Sequence, residues 1–184
     1  MFFSKNRALK ITCVISLLMI TFVYHRYINA ENNTHQIKFG ATYMTMNNTF
    51  YKAVNNEIEN VINDHGDILY TRDPALDAKK QEEQINDLID LGIDVLIVNP
   101  VESSTINKTL KKVKKAGIKI IVVDAPISDD QIADCTVVSD NYDAGVKCAL
   151  DMMQRFEKAR IVLLEHQNVL SAVDRINGFK DTVS

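Results

Sequence analysis

The sequence predicts an α/β domain built on a doubly wound parallel sheet, and three observations carry that reading. Apolar runs such as Asp94–Pro100 (DVLIVNP) and Ile118–Pro126 (IKIIVVDAP) each end in a polar residue and a proline. Segments with helical spacing alternate with such runs, and two of those segments stop at a glycine, Gly92 and Gly117. Short uninterrupted apolar runs are how strands read when helices cover both faces of a parallel sheet. Strict βα alternation makes right-handed crossovers the simplest connection. Ligands of such sheets bind outside the carboxyl ends of the strands, which puts Asn99 and Asp124 where a small molecule would be held.

The elements follow in order. Lys38–Thr42 (KFGAT) opens as the first strand, and Phe50–Asp64 carries Phe50, Ala53, Val54, Ile58, Val61 and Ile62 at helical spacing. Ile68–Thr71 is the second strand, and Asp77–Leu91 a helix with Asp77 as its cap and Gly92 as its stop. Ile93–Val98 is the third strand, Ser103–Ala116 the third helix, and Ile118–Asp124 the fourth strand. Cys135–Ser139 then reads as a short strand, Tyr142–Phe156 as a helix, Ala159–Glu165 (ARIVLLE) as another strand, and Ser171–Val183 as a last helix. A strand with one helix after it either extends the first sheet or opens a second lobe, and the abrupt end at Ser184 favours the second lobe. The expected division is residues 1–35 as a signal or anchor, 36–138 as a first lobe and 139–184 as the incomplete start of a second.

Lys5, Arg7 and Lys10 precede an uncharged run from Ile11 to Tyr24. That run is short for a membrane span and suits the hydrophobic region of an export signal, with Ile28-Asn29-Ala30 as a cleavage site. Snorkelling by Lys10 and Arg26 extends the span over residues 9–28, so an uncleaved anchor stays open beside cleavage. Cys13 lacks the small residues that precede an acylated lipoprotein cysteine. Removing residues 1–30 takes away four basic residues and no acid, moving the formal charge from −3 to −7. An acidic mature domain argues against a nucleic-acid partner. Cys135 and Cys148 allow a disulfide, but isolated cysteines without framework spacing are more commonly buried free thiols.

Five motifs in order carry a resemblance: Met46-Asn47-Asn48-Thr49-Phe50-Tyr51, Asn99-Pro100, Val123-Asp124, Ser139-Asp140-Asn141 with Gly145, and Arg175-Ile176-Asn177-Gly178-Phe179. With them the chain from Lys38 to Ser184 resembles the ribose-type periplasmic sugar-binding proteins. The resemblance implies a type I periplasmic-binding-protein fold, with a monosaccharide held between two lobes and no cofactor. It assigns ligand contact to Asn48, Phe50, Tyr51, Asn99, Asp124 and Arg175, and lobe-crossover roles to Asp140, Asn141 and Gly145. It also implies that much of the second lobe lies outside these residues, and a half-site cannot bury a ligand on both faces; a non-binding fragment is the reading that follows if nothing completes it.

The residue chemistry suits a polyol. Asn48 donates and accepts, as a sugar hydroxyl does. Phe50 and Tyr51 offer flat apolar faces to the C–H side of a sugar ring. Asp124 is acceptor-only when ionised and Arg175 is a donor fork, so the two can clamp neighbouring hydroxyls. Each also has a plainer reading. Phe50 lies on the apolar stripe of its helix, Asn99 shapes the turn before Pro100, Asp124 caps a loop, and Asp140 and Asn141 start a helix. The family places an arginine directly after the fourth-strand aspartate where this chain has Ala125, which argues against ribose itself and leaves a different pentose, a hexose, a methylpentose or a non-sugar ligand open.

Neither a His-Glu-x-x-His pair, a glycine-rich phosphate loop, a Gly-x-Ser-x-Gly elbow nor a Cys-x-x-Cys occurs, and His25, His35, His65 and His166 are scattered. The expected function is binding rather than catalysis. The partner is either a membrane permease that takes up the sugar or a sensor kinase that reads lobe closure.

Overall fold

The computed structural model describes residues 14–25 and 36–184. Residues 14–25 are helical, with Leu17, Ile20 and Phe22 among their exposed side chains. Among the described residues no helix is long and apolar enough to cross a membrane. The expected cleavage site at Ala30, Cys13 and both ends of the 9–28 anchor lie outside the described residues. Ile37–Ser184 forms a compact unit of its own.

In that unit β1 (Lys38–Thr42), β2 (Ile68–Arg72), β3 (Val95–Val98), β4 (Lys119–Asp124) and β5 (Cys135–Val138) make one parallel sheet in the order β2-β1-β3-β4-β5. Helices α1 (Thr49–Asp64), α2 (Ala78–Asp90) and α3 (Asn107–Lys115) link the first four strands. A single 3-10 turn, Asp130–Ile132, links β4 to β5, and α4 (Asn141–Arg155) and α5 (Leu170–Val183) follow. The chain steps outward from β1 to β2 and then back past β1 to β3. That reversal leaves a crevice between the carboxyl ends of β1 and β3.

Strand register sorts the core into two layers. Leu96, Val98, Ile120 and Val122 face α2 and α3 and join Ile85, Leu88, Leu110 and Val113 in one fully buried cluster. Ala41, Tyr43 and Ile97 face α1 and pack with Tyr51, flanked by half-buried Val54, Ile58, Ile121 and Val123. Each helix start has a local reason. The Asn48 side chain accepts from the Phe50 N–H, and that of Asp77 from the Lys80 N–H at 3.0 Å, satisfying donors that a helix cannot satisfy itself. Helix α3 begins four residues later than the expected Ser103, because that residue is committed elsewhere. Its N–H donates to the Asn168 carbonyl at 3.1 Å, and its own carbonyl accepts from the Ser128 N–H at 2.9 Å.

Two expectations are corrected. Ala159–Glu165 is not a strand. Parallel strands need a neighbour to share their hydrogen bonds, and none among the described residues lies beside this segment, so Val162 and Leu164 are 85% and 91% exposed. Cys135 and Cys148 are free and exposed rather than bridged or buried. The edge position of β5 explains the first: all four of its residues are exposed.

Candidate functional site

The chain leaving β1, β3 and β4 converges on one hydrogen-bonded cluster. Asn99, just after β3, is completely buried. Its Oδ1 accepts from the Met44 N–H at 3.2 Å, and its Nδ2 donates to the Val123 carbonyl at 3.0 Å and to Asp124 Oδ2 at 3.3 Å. Behind it, Gln81 Nε2 donates to the Asn99 carbonyl at 2.9 Å while Gln81 Oε1 accepts from the Val101 N–H at 2.9 Å. A side-chain amide has two N–H donors, and Asn99 spends both within the protein. In this structure Asn99 is a strut tying three strand ends together, as a buried amide must be to stay satisfied.

Asp124 ends β4 with φ at +66°. The Ala125 N–H donates back to the Val123 carbonyl at 2.8 Å, which closes a γ-turn around Asp124. Such turns are rare and strained for a residue with a side chain. The carboxylate is only partly buried, and the Tyr51 hydroxyl donates to its Oδ2 at 3.1 Å.

Of the two aromatics expected at the ligand, Tyr51 rather than Phe50 lies on the buried stripe of the helix. Tyr51 is 8% exposed and Phe50 is 52% exposed. The buried stripe of α1 runs through Tyr51, Asn55 and Ile62, and Phe50, one residue earlier, lies about 100° around the helix. Tyr51 stacks on Tyr43 with centroids 6.0 Å apart, and Phe50 meets Tyr51 edge-on at 5.3 Å. Burial pushes the Tyr43 phenol up to about 12. Burial first, and the Asp124 carboxylate second, push that of Tyr51 further still, so both remain neutral donors at physiological pH. The Tyr43 hydroxyl is buried with no hydrogen-bond partner among the described residues. A hollow of about 460 Å³ opens beside these groups, walled by Tyr43, Phe50, Tyr51, Val123, Asp124, Val138 and Ser139 among others.

Asn48 sits at the mouth of α1 with its Oδ1 engaged as the cap at 2.9 Å, leaving its amide nitrogen unpaired among the described residues. The remaining expected residues form a second group. Asp140 caps α4 by accepting from the Asp143 N–H at 2.9 Å, and Arg175 on α5 donates to Asn141 Oδ1. A Cβ at Gly145 would come within 2.0 Å of the Arg175 carbonyl, and one at Gly178 within 2.1 Å of the Tyr142 carbonyl. Only glycine permits helices to approach so closely. Among the described residues no cluster of His, Cys, Asp or Glu is placed to hold a metal ion.

Sequence reasoning missed Tyr43 and Gln81. Gln81 was detectable: it occupies the first position of the buried stripe Gln81, Ile85, Leu88, where a polar residue must serve buried backbone groups. Tyr43 follows β1 directly, and no pattern in the sequence marks its hydroxyl as unpartnered.

Residues 39–184 match the family described as periplasmic binding protein domain. The ribose import binding protein of Bacillus subtilis is 27% identical over 151 residues, covering 81% of this chain and 49% of that protein. Its Escherichia coli counterpart is 24% identical over 143 residues, covering 76% and 48%. The chain thus spans about half the length of these relatives. Among solved structures, an ABC transporter solute-binding protein from Mycobacterium smegmatis with bound glycerol superimposes with a TM-score of 0.71 at 30% identity, covering 81% of this chain and 52% of that one. A sugar transporter from Clostridium phytofermentans shares the fold, with a TM-score of 0.73 at 24% identity over 82% of this chain and 57% of that one. The parallel sheet, its reversal beside β1 and these matches together place the chain in the periplasmic binding protein family, with the type I fold.

Proposed function

We propose that this chain forms the first lobe, residues 36–138, and the opening of the second lobe, residues 139–184, of an extracytoplasmic receptor. That receptor binds a neutral monosaccharide and delivers it to an ABC-type importer; it is a binding protein, not an enzyme. One observation carries the reading: a partly exposed carboxylate, Asp124, projects from a strained turn at a strand end beside the aromatic wall of a hollow. An ionised carboxylate accepts hydroxyl protons with charge assistance, and an aromatic wall covers the C–H face of a sugar ring. The relatives point the same way, being ribose import proteins and solute-binding proteins, one of them with bound D-fucose. In this reading Phe50, Asn48 and Asp124 touch the sugar, and Arg175, carried on α5, reaches it from the opposite lobe.

The test is titration of the protein, as its own cells make it, with D-ribose, D-xylose, D-galactose and D-fucose. The chain has no tryptophan, so intrinsic emission reports tyrosine alone. Saturable change with at least one of these sugars is expected, and loss of it in Asp124→Asn. No response to any neutral monosaccharide by emission or calorimetry overturns the reading. Export places the sugar site outside the cytoplasm, with residues 1–35 as signal or anchor. A second reading, a tethered receptor whose closure is read by a sensor kinase, rests on the uncharged run Ile11–Tyr24 of the sequence alone. A membrane-bound species retaining residues 1–35 favours that version, and a soluble one lacking them favours transport.

A further inference from the structure

The Asp124 carboxylate has an asymmetry that a simple ligand-binding acid does not need. Both of its protein donors, the Tyr51 hydroxyl at 3.1 Å and Asn99 Nδ2 at 3.3 Å, converge on Oδ2. Oδ1 has no donor among the described residues, and Asp124 lines the hollow. Asn99 is itself immobilised by the Met44 N–H and the Val123 carbonyl, so it offers a fixed post. Tyr51 is equally fixed: 8% exposed, stacked on Tyr43 and edge-on to Phe50.

We infer that Tyr51 is a positioning residue, whose hydroxyl holds Asp124 Oδ2 so that Oδ1 alone is presented to the ligand. The inference rests on the sugar-receptor reading for what the ligand is, but not for the device itself. Three physical points favour it over ring stacking as the purpose of this side chain. The ring borders the hollow but is only 8% exposed, so Phe50, at 52%, offers the larger open aromatic face. The γ-turn at Asp124 gives its side chain an uncommon direction, and no backbone N–H among the described residues donates to its carboxylate. A phenol with a raised pKa keeps its proton, so it stays a donor to Oδ2 and never competes as a second anion.

A specificity consequence follows. With the phenol proton committed to Oδ2, Asp124 Oδ1 acts purely as an acceptor. It selects ligands that bring hydroxyl donors to it, and it disfavours those that bring a carbonyl, carboxylate or phosphate oxygen.

The substitution that isolates the hydroxyl is Tyr51→Phe, which keeps the ring, its burial and its stacking. Side-chain couplings measured by NMR in the ligand-free protein should show one Asp124 rotamer in the parent and averaged rotamers in Tyr51→Phe. A single unchanged rotamer in the variant overturns the inference. Calorimetry against D-ribose, D-galactose and D-fucose gives the second readout. Whichever sugar binds the parent should bind Tyr51→Phe about five- to tenfold more weakly, the loss of one hydrogen bond's net worth. An affinity unchanged from the parent overturns the inference and leaves sugar binding standing. If no sugar binds the parent, the receptor reading falls and the rotamer measurement alone decides the role of Tyr51. A merely structural tie between α1 and β4 would lower the melting temperature of Tyr51→Phe while leaving both rotamer and affinity ratio unmoved.

Discussion

On the face of the sheet toward α2 and α3, Leu96, Val98, Ile120 and Val122 are all fully buried. On the face toward α1, exposure climbs along the paired residues, from Ala41 at 0% and Ile97 at 5%, through half-buried Ile121 and Val123, to Val137 at 59%. Parallel strands are ordinarily covered on both sides, so the second face is the unusual one. A single helix lies on it, and the hollow beside Asp124 opens where that helix leaves β4 and β5 uncovered. The first face holds the unit together; the second leaves room for a ligand.

That division can be broken most forcefully at Leu88, buried under the first face. Leu88→Ala should destabilise by about 2–5 kcal/mol, read as a drop in the urea midpoint. A loss no larger than that of a β5 substitution would erase the distinction. Asn99→Ala should follow at roughly 1–3 kcal/mol, since it removes the acceptor of the part-buried Met44 N–H and a donor to Asp124. Sugar binding should fall with it, because Asp124 loses its fixed post.

Alkali probes the aromatic stack under the second face. The Tyr43 phenol is raised from 10.0 to about 12 in the folded chain. Its contribution is complete below the unfolded value of 10.0 and disappears as pH climbs through about 12. Urea midpoints measured across that window should fall in the parent and fall less in Tyr43→Phe; parallel curves would show that the stack does not control the alkaline limb. Asp124→Gly should go the other way, raising stability by about 1 kcal/mol through relief of the positive φ, while abolishing binding. A destabilised glycine variant would mean that the Tyr51 and Asn99 bonds outweigh the strain. Val137→Thr, at the exposed edge, should stay within about 0.5 kcal/mol.

Much of this architecture is visible in the residue pattern, since β1 through β4 and their helices obey simple periodicity and carry clear caps at Asn48 and Asp77. The apolar stretch Ala159–Glu165 misleads because a strand is a property of its neighbours as well as of its own side chains. Phe50 was placed on the apolar stripe of its helix for a different reason: at a helix's first turn, a one-residue error in phase swaps core for surface. The role of Asn99 was hidden because the same Asn-Pro pair suits a loop, a ligand or a strut, and only the three-dimensional partners choose among them. Asp124 was placed at its strand end by the pattern, whereas its γ-turn and the convergence of two donors on one oxygen depend on contacts 25 and 73 residues away in sequence.

Because α4 and α5 meet backbone to backbone at Gly145 and Gly178, no side chain lies between them at those two points to change rotamer and absorb a slip. The two helices therefore travel as one rod. Asn141 on the first and Arg175 on the second keep their separation through any such motion, and the guanidinium is carried as a rigid cargo rather than sent out on a flexible arm. An affinity that depends on Arg175 would then be set by where the rod docks, and its entropy of binding would be that of one body rather than of one long side chain.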